Sequence, residues 1–175
     1  MTDRHAWAAA AVAAKPGERL LEVGCGAGQA AQLVLADLGP DGSLLAIDRS
    51  ATAITAARSR NADALDAGRV QTEVTGLDEL AGFDDEFDGA WALNVNVFWT
   101  RDPTRELQAL ARVLRPGARL LLLWDAGPTG AAKLAPVVGR LASAGFTGAE
   151  QVGSAAGVII RARAPKRGPK GAGAR

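Results

Sequence analysis

The chain has 175 residues, a net charge of +1 and 48% hydrophobic residues, which suits one globular domain with a real core. Its longest apolar runs are too short to cross a bilayer, and its single cysteine excludes an internal disulfide. Aromatic residues make up only 5% of the chain, so a nucleic-acid stacking surface is not evident. We therefore expect a globular protein, cytoplasmic by default, without membrane or nucleic-acid partners.

Positive charge is concentrated at the end of the chain. Residues 165–175 contain four basic side chains and no acid, and they are rich in Gly and Pro. Since the whole chain carries +1, removing these four charges leaves −3 on the rest. This composition predicts one folded domain over residues 1–164, followed by a basic disordered tail over 165–175.

The first 14 residues predict a short helix over Trp7 to Ala14, with a signal peptide as the alternative. Short apolar runs then alternate with amphipathic segments. The expected strands are 19–23, 43–48, 70–75, 87–93, 119–124, 146–152 and 157–163. The expected helices after the first are 30–38, 51–60, 103–114 and 133–144, with Ser50 as an N-cap.

This alternation predicts a doubly wound, Rossmann-like α/β fold with helices on both faces of a mostly parallel sheet. The last two strands are separated by only a few residues, which is the spacing of an antiparallel hairpin. We expect seven strands in the order 3-2-1-4-5-7-6.

A glycine-rich turn follows the first strand, in the stretch Glu22-Val23-Gly24-Cys25-Gly26-Ala27-Gly28. Such a turn lies at the ligand-binding edge of a parallel sheet. The glycines are spaced by two, unlike the dinucleotide fingerprint, and Glu22 would repel a pyrophosphate. The second strand ends at Asp48, 20 residues beyond Gly28, where a carboxylate can accept hydrogen bonds from ribose hydroxyls. Two alternatives involve no ligand: the glycines form only a tight strand-to-helix turn, and Asp48 only caps the next helix.

At these residues the chain resembles the class I S-adenosylmethionine (SAM)-dependent methyltransferases, over roughly residues 16–163. The resemblance extends to Ala46-Ile47-Asp48-Arg49-Ser50, to Phe83-Asp84-Asp85-Glu86-Phe87-Asp88, to Arg101-Asp102-Pro103 and to Leu114-Arg115-Pro116-Gly117. It implies SAM as cofactor, S-adenosylhomocysteine (SAH) as product, and methyl transfer to an acceptor, expected here to be a small organic molecule.

The resemblance also implies roles for individual residues. Gly24, Cys25, Gly26 and Gly28 would form the loop under SAM, and Glu22 would hold its methionine end, directly or through water. Asp48 would bind the ribose, Arg49 would lie beside the adenine, and the backbone of Asn94 would meet the amino-acid part. Where the family often has Gly-Asp, this chain has Gly76-Leu77-Asp78, so either the Leu77 backbone or the Asp78 side chain could contact the adenine.

The catalytic residues and the acceptor are not readable from the sequence. Asn96 and Trp99 are candidates to orient the acceptor, although Trp99 could equally belong to the core. His5, the only histidine, is either a catalytic base or a surface residue, and no cluster has the spacing of a metal site.

Little sequence is available for a substrate cover, either before the first strand or over 126–132. We expect one of three covers for the open side. These are a partner subunit in a homodimer, the acceptor itself, and the N-terminal segment with Trp7. The glycine spacing disfavours a nicotinamide-dependent dehydrogenase. A non-catalytic SAM-binding or partner module stays open as an alternative.

Overall fold

The computed structural model describes residues 3–125 and 131–166. Its strands are β1 Arg19–Val23, β2 Ser43–Asp48, β3 Val70–Val74, β4 Phe87–Leu93, β5 Leu114–Asp125, β6 Thr147–Ser154 and β7 Gly157–Arg163. Its helices are α1 Arg4–Val12, α2 Gln29–Asp37, α3 Ala51–Arg60, α4 Ala62–Asp66, α5 Val97–Thr100, α6 Thr104–Val113 and α7 Ala131–Ser143. A 3-10 turn spans Leu77–Glu79.

The seven strands form one sheet in the order β3-β2-β1-β4-β5-β7-β6. The pairs from β3 through β5 are parallel, whereas β7 is antiparallel to both β5 and β6. This order and the antiparallel end confirm the fold that the sequence predicts.

Side chains alternate between the two faces of the sheet and so build two cores. On β1, Leu21 packs into a core with Leu110 of α6 and Leu141 of α7, while Leu20 packs on the other side with Ala8 of α1 and Val34 of α2. Helices therefore cover both faces, as in other doubly wound sheets.

Several boundaries differ from the expected ones. Helix α1 begins at Arg4 because the Asp3 carboxylate accepts the amide N–H of His5, and it ends at Val12 because Ala13 turns left-handed. Strand β5 begins at Leu114, opposite Phe87, and its register shifts before Arg119 pairs with Gly89. Arg115, Pro116 and Gly117, which lie between the expected helix 103–114 and the expected strand 119–124, are thus part of β5.

Other predictions hold or fall outside the described chain. Ser50 Oγ accepts the amide N–H of Ala53 and caps α3, as predicted. Helices α4 and α5 are too short for a periodic pattern and were not predicted. Most of the segment 126–132, and the expected tail from residue 167 onward, lie outside the described residues. In the described part of the chain, no helix is long and apolar enough to span a membrane.

Candidate functional site

The glycine loop connects β1 to α2 at the carboxyl edge of the sheet, and two of its glycines are fixed by neighbouring atoms. A Cβ on Gly24 would lie 2.5 Å from Val95 Cγ2, and one on Gly28 would lie 2.6 Å from Asn61 Nδ2. Gly24 thus lets the segment after β4 approach the loop, while Gly28 lets α3 pack against it. Around Gly26 a Cβ would meet nothing within 4 Å, so this glycine is chosen for its backbone conformation, with φ +53°.

Most of the loop amides donate to acceptors within the protein. Four of them have internal acceptors: Gly24 N and Cys25 N donate to the Ile47 carbonyl at 2.8 and 3.0 Å, Gly28 N donates to the Cys25 carbonyl at 3.0 Å, and Gly26 N donates to Asp48 Oδ2 at 2.9 Å. A pyrophosphate at such a turn needs amide N–H groups that point at the ligand. This geometry therefore disfavours a dinucleotide at the loop.

Asp48 lies at the end of β2 with both carboxylate oxygens engaged by backbone. Oδ2 accepts from Gly26 N and Oδ1 accepts from Ser50 N at 2.8 Å. Each carboxylate oxygen has about two acceptor positions, so Asp48 retains capacity for hydroxyl donors. Asp48 thus orients the glycine loop and also presents acceptors at the sheet edge.

Glu22 is a carboxylate buried beneath the loop. It is 2% exposed, and its Oε2 has no hydrogen-bond partner among the described residues. Its cross-strand neighbour is Trp91, whose indole N–H finds no partner in hydrogen-bonding geometry within 3–125 and 131–166. Burial, reinforced by the charge of Asp48, raises the pKa of Glu22 to about 8, although Trp91 partly offsets the shift. An unpaired buried carboxylate is costly, so this position favours a cationic or hydrogen-bond-donating ligand.

Cys25 packs away from the loop surface. Its side chain joins a small cluster with Ala46, Ile54 and Ala57 under α3. Burial, with the charges of Glu22 and Asp48, raises the pKa of the thiol to about 12. Cys25 is therefore a packing residue whose thiol is not a nucleophile at neutral pH.

A cavity of about 360 Å³ opens beside the loop. Its wall is mainly apolar, with Val23, Ile47, Leu77, Val95 and Val97, and it also includes Gly24 and Asp48. The structure thus brings the loop, the end of β2, the turn after β3 and the segment after β4 to one cavity. This is the convergence that the strand order predicts for ligands at the carboxyl ends of parallel strands.

Arg49 and Asp78 form an ion pair at the rim of this cavity. The Arg49 side chain crosses directly over Gly76, where a Cβ would lie 2.5 Å from its Nε. Partial burial raises the pKa of Asp78, but the Arg49 hydrogen bond, a backbone hydrogen bond and the charges of Arg49 and Arg101 together hold it below its ordinary value. Of the two predicted adenine contacts, Leu77 lines the cavity and Asp78 is engaged by Arg49.

Two charged residues that line the cavity were not predicted from the sequence. Arg101 and Glu106 both line the cavity, and Arg101 Nη2 contacts Glu106 Oε1 at 2.5 Å. Glu106 is 2% exposed, and its Oε2 has no hydrogen-bond partner in the described part of the chain. A glutamate among apolar residues of a helix was the available signal, since α6 is otherwise buried through Leu107 and Leu110.

Asn94 turns the chain at the end of β4. It adopts φ +58°, which asparagine tolerates, and its Oδ1 accepts the Asp125 amide N–H at 3.1 Å. Its own N–H donates to the Leu123 carbonyl. Of its backbone groups, the carbonyl is therefore the one available to meet a ligand.

Asn96 and Trp99 lie together on the α5 segment. Trp99 Nε1 donates to Asn96 Oδ1 at 3.2 Å, and Lys133 Nζ lies 5.9 Å from the centre of the Trp99 ring. Neither residue is among those lining the 360 Å³ cavity, and Trp99 is partly buried against the core. Trp99 is thus both a packing residue and part of a surface adjacent to the cavity.

Other aromatic and titratable candidates lie elsewhere. Trp7 packs on the α1–α2 side and reaches Gly157, so α1 does not bring it to the cavity lining. Trp124, at the end of β5, is 2% exposed and belongs to the core. His5 lies in the first turn of α1, beside Asp3. No group of three or more His, Cys, Asp or Glu in the described ranges could hold a metal ion.

The geometry defines a Rossmann-like domain with a nucleoside-sized cavity beside a glycine turn. Known proteins share its fold and part of its sequence. A family model for the methyltransferase domain matches residues 20–117, from β1 into β5. A 2-phytyl-1,4-naphtoquinone methyltransferase of Synechococcus elongatus is 34% identical over 111 residues, which is 63% of this chain and 47% of the relative. An O-methyltransferase, resE, of Aspergillus sclerotiorum is 34% identical over 113 residues, or 65% of this chain and 42% of the relative.

A solved structure shares the fold. The SAM-dependent methyltransferase of Aquifex aeolicus superposes with a TM-score of 0.76 at 20% identity, covering 91% of this chain and 88% of that one. The chain belongs to the methyltransferase-domain family, within the class I SAM-dependent methyltransferases. This membership confirms the resemblance seen in the sequence and identifies SAM as the cofactor. The chain spans less than half the length of the two relatives compared by sequence.

Proposed function

We propose that the protein transfers the methyl group of SAM to a small organic acceptor and releases SAH. The observation that carries this proposal is the pair of carboxylates at the glycine loop: Glu22 buried below it and Asp48 bonded to it. SAM carries an ammonium group, which suits Glu22, and a ribose diol, which suits Asp48.

The residues at the loop and cavity fit SAM. Gly24, with Gly26 and Gly28, would form the surface under the cofactor, and the Cys25 backbone would complete it. Glu22 would hold the methionine ammonium, and the Asn94 carbonyl would meet the amino-acid part. Asp48 would accept from the ribose hydroxyls.

The adenine would enter the apolar part of the cavity. Leu77 would lie against the base, and Arg49, held by Asp78, would cover it from the rim. The close approach of the Arg49 side chain to Gly76 explains why position 76 has no side chain.

Bound SAM supplies an electrophilic methyl group on a positively charged sulfur. The protein's part in such a displacement is to orient the reactants and to exclude water. Asn96 would orient the acceptor and Trp99 would provide an aromatic wall beside the cavity mouth. A general base is required only if the acceptor must lose a proton. No residue is assigned to that role.

A small acceptor is supported by the relatives, whose names describe a quinone methyltransferase and an O-methyltransferase. A homodimer that covers the open side and a cytoplasmic location stay predictions. So does the absence of a nucleic-acid partner.

Two measurements test the proposal. SAM and SAH should raise the melting temperature at millimolar concentration, because a ligand that binds only the native state stabilises it. NAD should not, since the loop amides are already engaged. Labelled SAM incubated with fractionated cell extract should then label a small-molecule fraction. A stabilisation by NAD alone would reject the proposal, and SAM binding without any transfer would favour a non-catalytic SAM-binding module.

A further inference from the structure

Glu106 is a cavity residue that the proposed roles leave unused. It lines the same cavity as Asp48 but enters it from α6, which packs against the turn Leu77–Glu79. Its Oε1 is held by Arg101, while Oε2 is shielded from solvent and has no partner among the described residues.

The local sequence explains why this oxygen has no partner. Glu106 is the third residue of α6, where a glutamate usually accepts the backbone N–H of the N-cap residue. The N-cap here is Pro103, which has no N–H. The Asp102 side chain instead accepts from Thr104. The buried oxygen therefore lacks its usual intrahelical donor, which is costly unless another group donates to it.

The residues that line the cavity indicate the chemistry of a ligand that would supply this donor. Besides the two acids, its wall includes apolar residues such as Ile47, Leu77 and Val97. A matching ligand has a flat apolar body, a diol for Asp48 and an N–H group for Glu106. A 6-aminopurine nucleoside has all three.

We propose that Glu106 Oε2 accepts a hydrogen bond from the exocyclic amino group of the adenine, which makes Glu106 the residue that selects adenine. This inference rests on the proposed function, because it assumes that the SAM nucleoside occupies the cavity. Arg101 is a positioning residue, since its contact with Oε1 restricts the orientation of the carboxylate.

Asp78 is the competing acid. Its carboxylate is engaged by Arg49, and it lies on a neighbouring surface groove rather than in the cavity lining. Asp78 therefore orients the rim, while the free acceptor is on Glu106.

The test compares the affinity of SAH with that of S-inosylhomocysteine, in which a 6-oxo group replaces the amino group. Titration calorimetry gives both dissociation constants without any turnover. We expect the wild-type protein to prefer SAH by about ten-fold or more, the range for a hydrogen bond to a charged group.

Glu106→Gln should reverse or abolish this preference. Because Arg101 requires an acceptor, the amide oxygen faces Arg101 and the NH2 group takes the position of Oε2. An NH2 group there repels the adenine amino group and donates to a 6-oxo group. Glu150→Gln is the matched control, because Glu150 is also paired with an arginine, Arg161, but is exposed on β6. It should leave both affinities unchanged.

Four results would overturn the inference. These are a wild-type protein that binds both ligands equally, a Glu106→Gln variant that weakens both by the same factor, an Asp78→Asn variant that alone removes the preference, and a wild-type protein that binds neither ligand. The last result also rejects the proposed function, whereas the first three leave SAM binding intact. If Glu106→Gln fails to fold, the wild-type preference and the Asp78→Asn variant still decide the question.

Discussion

The amide N–H of Gly26 donates to Asp48 Oδ2 at 2.9 Å, so the turn after β1 is bonded directly to the end of β2. The other oxygen of the same carboxylate accepts from Ser50 N, at the start of α3. Asp48 thus joins three elements of the sheet edge before any ligand is considered. Residues proposed to bind SAM also hold the loop in shape.

Asp48→Ala should weaken SAH binding by about 1.5–3 kcal/mol, the range for lost hydrogen bonds to a charged group. Part of the loss would come from the released Gly26 amide. The fold should survive, because Asp48 is only partly buried at the sheet edge. Titration calorimetry measures the change, with Asp41→Ala in the exposed turn before β2 as control. An unchanged affinity would remove Asp48 from the site.

Gly24→Ala should be more damaging than Gly26→Ala. Both glycines have positive φ, but only at position 24 would the new methyl group meet an atom, Val95 Cγ2 at 2.5 Å. Overpacking of this kind costs about 1–3 kcal/mol. Urea denaturation and SAH titration measure the two effects, and adding Val95→Ala to Gly24→Ala should restore part of both. Equal losses at positions 24 and 26 would contradict this account.

Glu22 should make the protein less stable as the pH rises. Its pKa of about 8 in the native state lies above the ordinary value of 4.5, so the native state binds the proton more tightly than the unfolded chain. Stability therefore falls between about pH 4.5 and 8, and the penalty is complete above that range. Relative to the wild type, the free energy of unfolding of Glu22→Gln should increase by a few kcal/mol between pH 5 and 9. Parallel unfolding profiles across this range would show that Glu22 is not protonated in the native state.

Binding of SAH should release protons near pH 7. The free protein holds Glu22 mostly protonated, and an ammonium group beside it would lower its pKa and ionise it. Calorimetry in two buffers with different ionisation enthalpies counts these protons, and Glu22→Gln should release none through this group. Binding with no proton release in the wild type would place the ammonium group away from Glu22.

Trp99→Ala should lower acceptor turnover while SAH affinity stays nearly constant, because Trp99 does not line the cavity. Since the side chain is only partly buried, the stability loss should be smaller than the 3–5 kcal/mol typical of a core aromatic residue. Melting curves and SAH titration measure both quantities, with Asn96→Ala as the companion variant that removes its hydrogen-bond partner. A loss of stability in the full core range would retire Trp99 as a substrate residue.

The sequence by itself determined the architecture and the position of the loop. Alternating short apolar runs and amphipathic segments determined the strand and helix order, because side-chain periodicity is a local property. The glycine spacing, with Glu22 before it and Asp48 after the next strand, already pointed to the binding edge. The cap at Ser50 is also local, since it depends on one side chain and an amide three residues later.

Only the tertiary structure decided which side chains meet. Arg49 and Asp78 come from turns after different strands, and Glu106 reaches the cavity from a helix packed against the turn after β3. Trp124 and Trp99 have similar apolar character in the sequence, yet one is core and the other partly exposed. Such outcomes depend on register and packing between segments far apart in the chain. A local pattern contains no information about which distant carboxylate finds a partner and which is left free for a ligand.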